Sequence, residues 1–364
     1  MVVDTLTKVV DPGGGGDYPN LAAAIADRDI GYPTDLVNGD FNLKFSLRSS
    51  DGSYDTGGYA YWDGAHYTVD ETHNITVEVE DFYFHGAEWP PRIPIYVHAC
   101  RTAGIDCTTP YTTFRGICTY NRWTVPWKAS FWCGLVPGIF YDNCMSIVSD
   151  GGGSESWGFA AWGAAGFTAK YRNCITYYER TDATSYQYSF YEGADGGTIW
   201  AHNCSFLNPI GGAAALRAGV TSVFKNCILH GSVLKDVDGP AYFDNTSTHN
   251  AYFHVMPESG INWRNYTIYG MSAGASTLQP PMDQLLRTLT GDNRLRDDAP
   301  IAADGADLRF DPDLPVTEDV IGIKRKKHDY LGASTKTNRV IPPPPPQRPK
   351  KIKRLSSRVP SLRR

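Results

Sequence analysis

Apolar and polar residues alternate over short stretches of this chain, and turn-forming residues end each stretch after a few positions. Ile75-Thr76-Val77-Glu78-Val79-Glu80 carries the pattern most cleanly, and a period of two puts alternate side chains on opposite faces of a strand. Asp150-Gly151-Gly152-Gly153 and Gly193-Ala194-Asp195-Gly196-Gly197 read as turns between strands. A helical pattern lies near the start, where Pro19 and Asn20 precede Leu21 and Ile25, an i, i+4 apolar stripe.

Four segments repeat one motif: Tyr141-Asp142-Asn143-Cys144, Tyr171-Arg172-Asn173-Cys174, Ala201-His202-Asn203-Cys204 and Phe224-Lys225-Asn226-Cys227, each followed by a short strand-like run. The Asn-Cys pairs are 30, 30 and 23 residues apart. Phe114-Arg115-Gly116-Ile117-Cys118 reads as a weaker upstream copy, and Tyr242-Phe243-Asp244-Asn245 as a downstream one. Strands returning at ~20–30 residues, with too little helix between them for βαβ units, predict a solenoid whose coils stack as parallel strands ~4.8 Å apart. Cys144, Cys174, Cys204 and Cys227 then form an interior stack of reduced thiols, because aligned parallel side chains poorly match disulfide geometry. Asn143, Asn173, Asn203 and Asn226 stand at the preceding corners, where a carboxamide bonds backbone groups and the amide of the next coil.

Asn-Cys at the ends of successive short strands resembles the right-handed parallel β-helix, or pectin-lyase-like, superfamily. Val9 to Ala26, with Gly13 to Gly16 in its middle, is similar to the strand, Gly-rich turn and capping helix that open many of its members. The expected fold is all-β: a right-handed parallel β-helix solenoid with an N-terminal capping helix and an extended C-terminal tail. The boundaries are 1–40 for the first strand and capping helix, 41–323 for the β-helix body and 324–364 for the tail.

The chain has 364 residues with 36 Gly, 24 Pro and few charges, against a helical bundle or a wholly disordered chain. Its eight cysteines form no CxxC pair, against a structural zinc site. No apolar run reaches the roughly 18 residues of a membrane span, and residues 1–6 lack the basic start and apolar core of a secretory signal. Synthesis in a host cytoplasm, with no membrane association, is the expectation.

The net charge of −5 hides a division by position: from Lys324 onward there are 14 Lys/Arg and one acid, leaving −18 on residues 1–323 and +13 on the tail. The tail holds five prolines at 342–346, which favour a stiff polyproline II rod. Beyond them Arg348, Lys350, Lys351, Ile352, Lys353, Arg354, Leu355, Arg358, Arg363 and Arg364 mix cations with apolar anchors. That composition suits docking into another assembly, capsid or tail protein better than a nucleic-acid arm.

Catalytic chemistry has weaker support. Gly13 to Gly16 lacks the Gly-Lys-Ser/Thr of a phosphate loop and reads as a structural turn. His202 and His230 stand beside two Asn-Cys motifs and are read as turn or edge residues. Asp142, Asp150, Glu155, Glu179, Asp182, Glu192 and Asp195 fall at strand starts and in loops, with Asp150, Glu179 and Asp182 the candidates for glycoside hydrolysis or, with carbonyls, for Ca2+; the competing reading is a solvated acidic surface. Asp81-Phe82-Tyr83-Phe84-His85-Gly86 resembles the pectin methylesterase motif with a His inserted, and the paired Asp, His-Gly and Arg-Ile-Lys motifs of polygalacturonases are missing, so no catalytic residue transfers. Trp123, Trp127, Trp132, Trp157, Trp162, Tyr177, Tyr178, Tyr186, Tyr188 and Tyr191 exceed what a narrow interior holds, so some are expected to stack inside and the remainder to form a homo-oligomer interface, a trimer among the options, or a sugar-binding face. The expected function is a structural component of a virion, a spike, fibre or decoration protein held by its tail. The alternatives are a polysaccharide lyase, hydrolase or esterase, and a non-catalytic glycan-binding adhesin.

Overall fold

The computed structural model describes residues 3–51, 53, 55, 57, 58, 60–80, 97, 98, 103–121, 128–134, 136–148, 156–162, 166–178, 187–193, 196–216, 220–235, 241, 242, 247, 250–253, 261, 262, 266–268 and 307–318. Strands dominate them, and every strand pairing is parallel. The chain is all-β with parallel sheets.

The first sheet has eight strands: Asp4–Val10, Phe41–Leu47, Ile75–Val79, Thr112–Arg115, Ile139–Asp142, Phe167–Arg172, Gly197–His202 and Val220–Lys225. Their order in space is their order in the chain. The second sheet holds two rows, one containing Met145–Val148 and Ile175–Tyr178 and the other Ser156–Ala161 and Gln187–Glu192. The long strand Ser205–Leu216 joins the rows by pairing with Ile175–Tyr178 through its first part and with Gln187–Glu192 through its last. From Ile139 onward the chain visits the first sheet, one row and then the other before returning.

The register explains the repeat. Tyr141 lies opposite Tyr171, Ile175 opposite Ser205, and Ser205 opposite Ile228, so the spacings of 30 and 23 are the chain lengths between laterally paired positions. Aromatic rings stack along these lines. Phe114, Tyr141 and Tyr171 have centroids 5.3 and 5.2 Å apart, and Phe131 lies 4.8 Å from Phe159; adjacent strands lie at nearly this spacing, so equivalent rings meet face to face. One continuous core runs from Val10 to Leu229 and contains seven buried cysteines: Cys107, Cys118, Cys133, Cys144, Cys174, Cys204 and Cys227.

Two members of the repeat are shifted. Cys118 lies opposite Met145, not Cys144, which sets Ile117 beside Cys144 and Gly116 beside Asn143. The corner decides this: Gly116 has φ 71°, matching the 54–59° of Asn143, Asn173, Asn203 and Asn226, a left-handed conformation that Gly and Asn tolerate best. Downstream, Ile228 pairs with Ala251, so Asn250 lies opposite Cys227 rather than opposite the corner Asn226, while Asn245 lies outside the described residues. Asn250 Oδ1 accepts from Cys227 N at 2.8 Å, and its Nδ2 donates to Phe224 O at 2.7 Å.

At the N-terminus Asp11 organises the Gly-rich turn: its Oδ1 accepts from Gly13 N and Ser50 N at 2.9 and 3.0 Å. A Cβ on Gly16 would lie 2.6 Å from Val9 O, so the chain passes there only without a side chain. Asn20 caps helix Leu21–Ala26, accepting from Ala23 N at 2.7 Å, and Leu21, Ala24 and Ile25 join the core.

Candidate functional site: the asparagine ladder and its acidic strap

Each Asn-Cys pair sits where the chain leaves the first sheet and turns into the second. The positive φ of the Asn makes the corner, and the next residue points its thiol inward. Cys144, Cys174, Cys204 and Cys227 are wholly buried and unbridged. Each Sγ donates to a carbonyl on the preceding strand of the first sheet: Cys144 to Phe114 O at 3.4 Å, Cys174 to Tyr141 O at 3.4 Å, Cys204 to Tyr171 O at 3.5 Å and Cys227 to Ala201 O at 3.1 Å. Burial pushes the Cys144, Cys174 and Cys204 thiols far above their ordinary range, so they are neutral packing groups. Backbone bonds join the corners, Asn143 N to Arg172 O at 2.9 Å and Asn203 N to Lys225 O at 2.8 Å. Asn203 Nδ2 donates to Asn173 Oδ1 at 2.5 Å.

One position before each Asn, a column of charges runs across the outer face of the first sheet. Glu78, Arg115, Asp142, Arg172, His202 and Lys225 are successive register partners. The signs alternate as far as Arg172. Arg172 grips Asp142 in two-pronged fashion, Nε to Oδ1 at 2.8 Å and Nη2 to Oδ2 at 2.7 Å, and Arg115 approaches from the other side at 3.5 Å. Burial would lower the Arg172 pKa, but the Asp142 carboxylate outweighs it and raises it. After Arg172 come two more basic residues with no acid between them.

Residues 307–318 supply what the column lacks. Lys225 Nζ meets Asp311 Oδ2 at 2.7 Å, and the pairing, together with His202, lowers the Asp311 pKa against the opposing effect of burial. His202 Nδ1 lies 2.8 Å from Leu314 O. Burial pushes the imidazole down to about 4, so at neutral pH the ring is uncharged and Nδ1 carries the proton it donates. Lys170 Nζ donates to Asp313 O at 2.8 Å, Arg172 Nη1 to Pro315 O at 2.9 Å and Asn173 Nδ2 to Glu318 O at 2.9 Å. Leu308, Leu314 and Val316 are buried by this docking. The segment therefore crosses three strands as a strap, and it ends against the ladder itself.

Beside the strap the sheet face forms a groove of about 650 Å³ whose lining includes Glu71, Asn74, Tyr111, Asp313 and Pro315. Thr113, Phe140, Thr168 and Lys170 belong to its lining; Arg172 covers the Phe140 ring at 5.0 Å and Lys170 lies 5.3 Å from the Trp200 centroid.

The ladder residues come together as the repeat predicts. Of the carboxylates, Asp142 is held by arginines in the first sheet, and Glu192, wholly buried in the second, accepts from Ser222 Oγ at 3.0 Å. Both are structural. Asp150, Glu155, Glu179, Asp182 and Asp195 lie outside the described residues, as do the tail residues Arg348, Lys350, Lys351, Ile352, Lys353, Arg354, Leu355, Arg358, Arg363 and Arg364 and the side chain of His230. Among the described residues no three His, Cys, Asp or Glu converge as metal ligands, and no helix is long and apolar enough to cross a membrane.

Among the described residues, most of the aromatic excess is buried, as expected for the rings that stack inside. Trp157, Tyr188 and Tyr191 form a second buried cluster with Ala129, Ala160 and the partly buried Trp132. Trp157 stacks on Tyr191 at 4.4 Å. Among the described residues of this group, only Trp162, at 37 % exposure, brings a ring well into solvent. Tyr177 and Tyr178 are buried too, with Tyr178 Oη donating to Ser156 O and Tyr188 O at 2.7 and 2.8 Å. Trp123, Trp127 and Tyr186 lie outside the described residues.

The strap was missed from sequence. Its only local signal is Asp311-Pro312-Asp313-Leu314-Pro315, acidic and proline-rich, which reads as a loop until the basic end of the column is known. The chain matches no protein-family model, no curated protein and no solved structure.

Proposed function

We propose that the chain is a right-handed parallel β-helix of the pectin-lyase-like type that serves as a structural part of a virion, a spike, fibre or decoration protein docked through residues 324–364. The observation that carries this reading is the strap. It ties the chain down along the sheet as far as Glu318, beside Asn173, six residues before the basic tail begins in sequence, on a body whose charged groups Asp142, Arg172 and Lys225 are committed to holding structure. A rigid acidic body with a basic, proline-bearing extension is the layout of a docked projection. Partner recognition then rests on Arg348 to Arg364, with Ile352 and Leu355 as apolar anchors. Deleting residues 336–364 and measuring incorporation into the particle tests it: loss of occupancy with an intact body is expected, and wild-type occupancy refutes the tail as tether.

The groove beside the strap favours a second reading, a glycan-binding adhesin. Phe140, Thr113, Thr168 and Lys170 line one groove, a mixture of aromatic, hydroxyl and cationic groups of the kind that binds a sugar, provided that Arg172 moves off the Phe140 ring it covers. Saturation-transfer NMR against a glycan panel, repeated with Phe140→Ala, decides it; signals unaffected by the substitution place any glycan elsewhere.

A further inference from the structure

Residues 307–318 close on themselves before they meet the sheet. Leu308 O accepts from Asp311 N and Val316 N at 3.2 and 2.9 Å, and Asp311 Oδ1 accepts from Asp313 N and Leu314 N, each at 3.1 Å. The strap is therefore a compact loop, and side chains of the sheet hold it: Lys170 and Arg172 through bonds open to solvent, Lys225 through Asp311, and His202 through Leu314 O. Lifting it breaks no strand pairing of the first sheet. His202 lies beneath the loop, wholly buried. Its Nδ1 donates to Leu314 O at 2.8 Å, and among the described residues its Nε2 is buried with no hydrogen-bond partner. A second proton on the ring would sit on that nitrogen with no acceptor to meet it. Of the charged groups around the ring, Asp311, at 3.8 Å, and Asp313 favour the imidazolium, whereas Lys225 opposes it; Lys225 and Arg172 are the register partners of His202 on either side. Asp311 and Arg172 are already engaged, by Lys225 and Asp142, and burial of the ring outweighs the acids.

We propose that residues 307–318 form an acid-released latch: protonation of His202 lifts the loop from the first sheet, while the sheets beneath stay folded. In the lifted state water solvates both ring nitrogens, so the imidazolium that the closed state refuses is accommodated, and protons drive the equilibrium toward opening. The Lys225–Asp311 pair is not what acid breaks. Although burial works to raise it, the Asp311 pKa is held below its ordinary value by Lys225 and His202. Opening has two consequences at the surface. Asp313, Leu314 and Pro315 leave the lining of the groove, and the Lys170 ammonium and Arg172 Nη1 lose their carbonyl partners. The latch thus sets when the groove is wide and its cations are bare, and it depends neither on tail docking nor on a bound glycan.

Amide hydrogen exchange of the full-length protein tests the latch. Rates at Leu314 and Val316, divided by those of an unstructured chain at each pH, give the opening equilibrium of the loop; Ile175 and Ser205, whose N–H groups donate to Cys144 O and Cys174 O, report the sheets. With His202 at about 4 when covered and at ~6.5 when bare, linkage predicts that opening increases about 30-fold between pH 7.5 and 5. The loop amides should be far less protected than Ile175 and Ser205 throughout. His202→Gln keeps a donor for Leu314 O and has nothing to protonate, so its loop amides should show no such rise. Three results overturn the proposal. Loop amides as protected as Ile175 and Ser205 would mean that the strap leaves only when the whole fold does. A rise of under about threefold in the wild-type protein would mean that His202 does not gate the loop, and an undiminished rise in His202→Gln would assign the gating to another group. The first two are read from the wild-type chain, so the test stands even where the variant fails to fold.

Discussion

Asn203 donates its carboxamide to that of Asn173 on the neighbouring coil, and both residues hold left-handed backbone, φ 59° and 55°. One side chain therefore does two things: it tolerates the corner that turns the chain from one sheet to the next, and it bonds that corner to its neighbour.

Replacing Asn203 by Ala removes both contributions. The left-handed conformation costs a β-carbon-bearing residue ~1–2 kcal/mol, and a lost side-chain hydrogen bond adds ~1 kcal/mol. Asn203→Gly keeps the corner and loses only the bond. Urea unfolding should show Asn203→Ala as the more destabilised of the two; equal losses would mean that the corner conformation contributes nothing.

The ladder thiols should be silent in the native state. Burial raises the thiol pKa of Cys107 and Cys133 to about 12, and pushes those of Cys144, Cys174 and Cys204 well above their ordinary range. Thiolate is the reacting species, so a disulfide-exchange reagent should label none of these five until denaturant is added. Peptide mapping of the labelled cysteines checks this, and rapid native labelling at Cys174 would contradict the interior stack.

Arg172 connects the charge column to the strap, since it binds Asp142 and also Pro315 O. Arg172→Met leaves the 4 %-exposed Asp142 side chain with only the more distant Arg115 nearby, a loss of ~2–4 kcal/mol for a broken, largely buried pair. Hydrogen exchange should accelerate at strap amides such as Val316, whose N–H donates to Leu308 O at 2.9 Å. Asp142→Asn should destabilise the sheet while sparing the strap. Strap protection lost equally in both variants would show that Arg172 acts only through Asp142.

Two histidines should respond to pH in opposite directions. His202 is wholly buried with its pKa lowered to about 4, so below the ordinary value of ~6.5 the unfolded chain binds a proton that the folded chain refuses. Its contribution is complete above pH ~6.5 and falls as pH drops toward 4, by about 3 kcal/mol. His73 is clasped by Asp40 at 3.1 Å and Asp70 at 2.9 Å, and the Asp40 bond in particular raises its pKa. Its stabilisation is present below the ordinary value and disappears as pH rises through the raised one. Proton NMR titration of the two imidazoles gives the order directly, and His202→Gln should flatten the acid limb of stability between pH 4 and 6.5.

Parallel strands, their spacing and the identity of the ladder were legible along the chain, because each is local. Alternation in Ile75–Val79 needs only neighbouring residues, and the recurrence of Asn-Cys counts the residues between paired strands. Even the shifted copies follow a local rule once it is seen that the left-handed corner, not the cysteine, defines the repeat: Gly116 does for its coil what Asn143 does for the next. The aromatic excess was visible in composition, but whether a ring on the second sheet meets solvent or a covering depends on contacts that no window contains, and Trp157 and Trp162 fall on opposite sides of that division.

The sequence by itself determined the parallel all-β class, the chain lengths between paired strands and which asparagines and cysteines stack, since strand periodicity and corner conformation are written into a few consecutive residues. Only the tertiary structure decided that acids at 311–318 belong to the basic end of the charge column. The partners are 143 residues apart for Arg172 and Pro315 and 86 for Lys225 and Asp311. Their attraction exists only after stacking has lined up Arg172, His202 and Lys225 with no acid between them, because charges in an unfolded chain are screened within ~10 Å and have no column to complete.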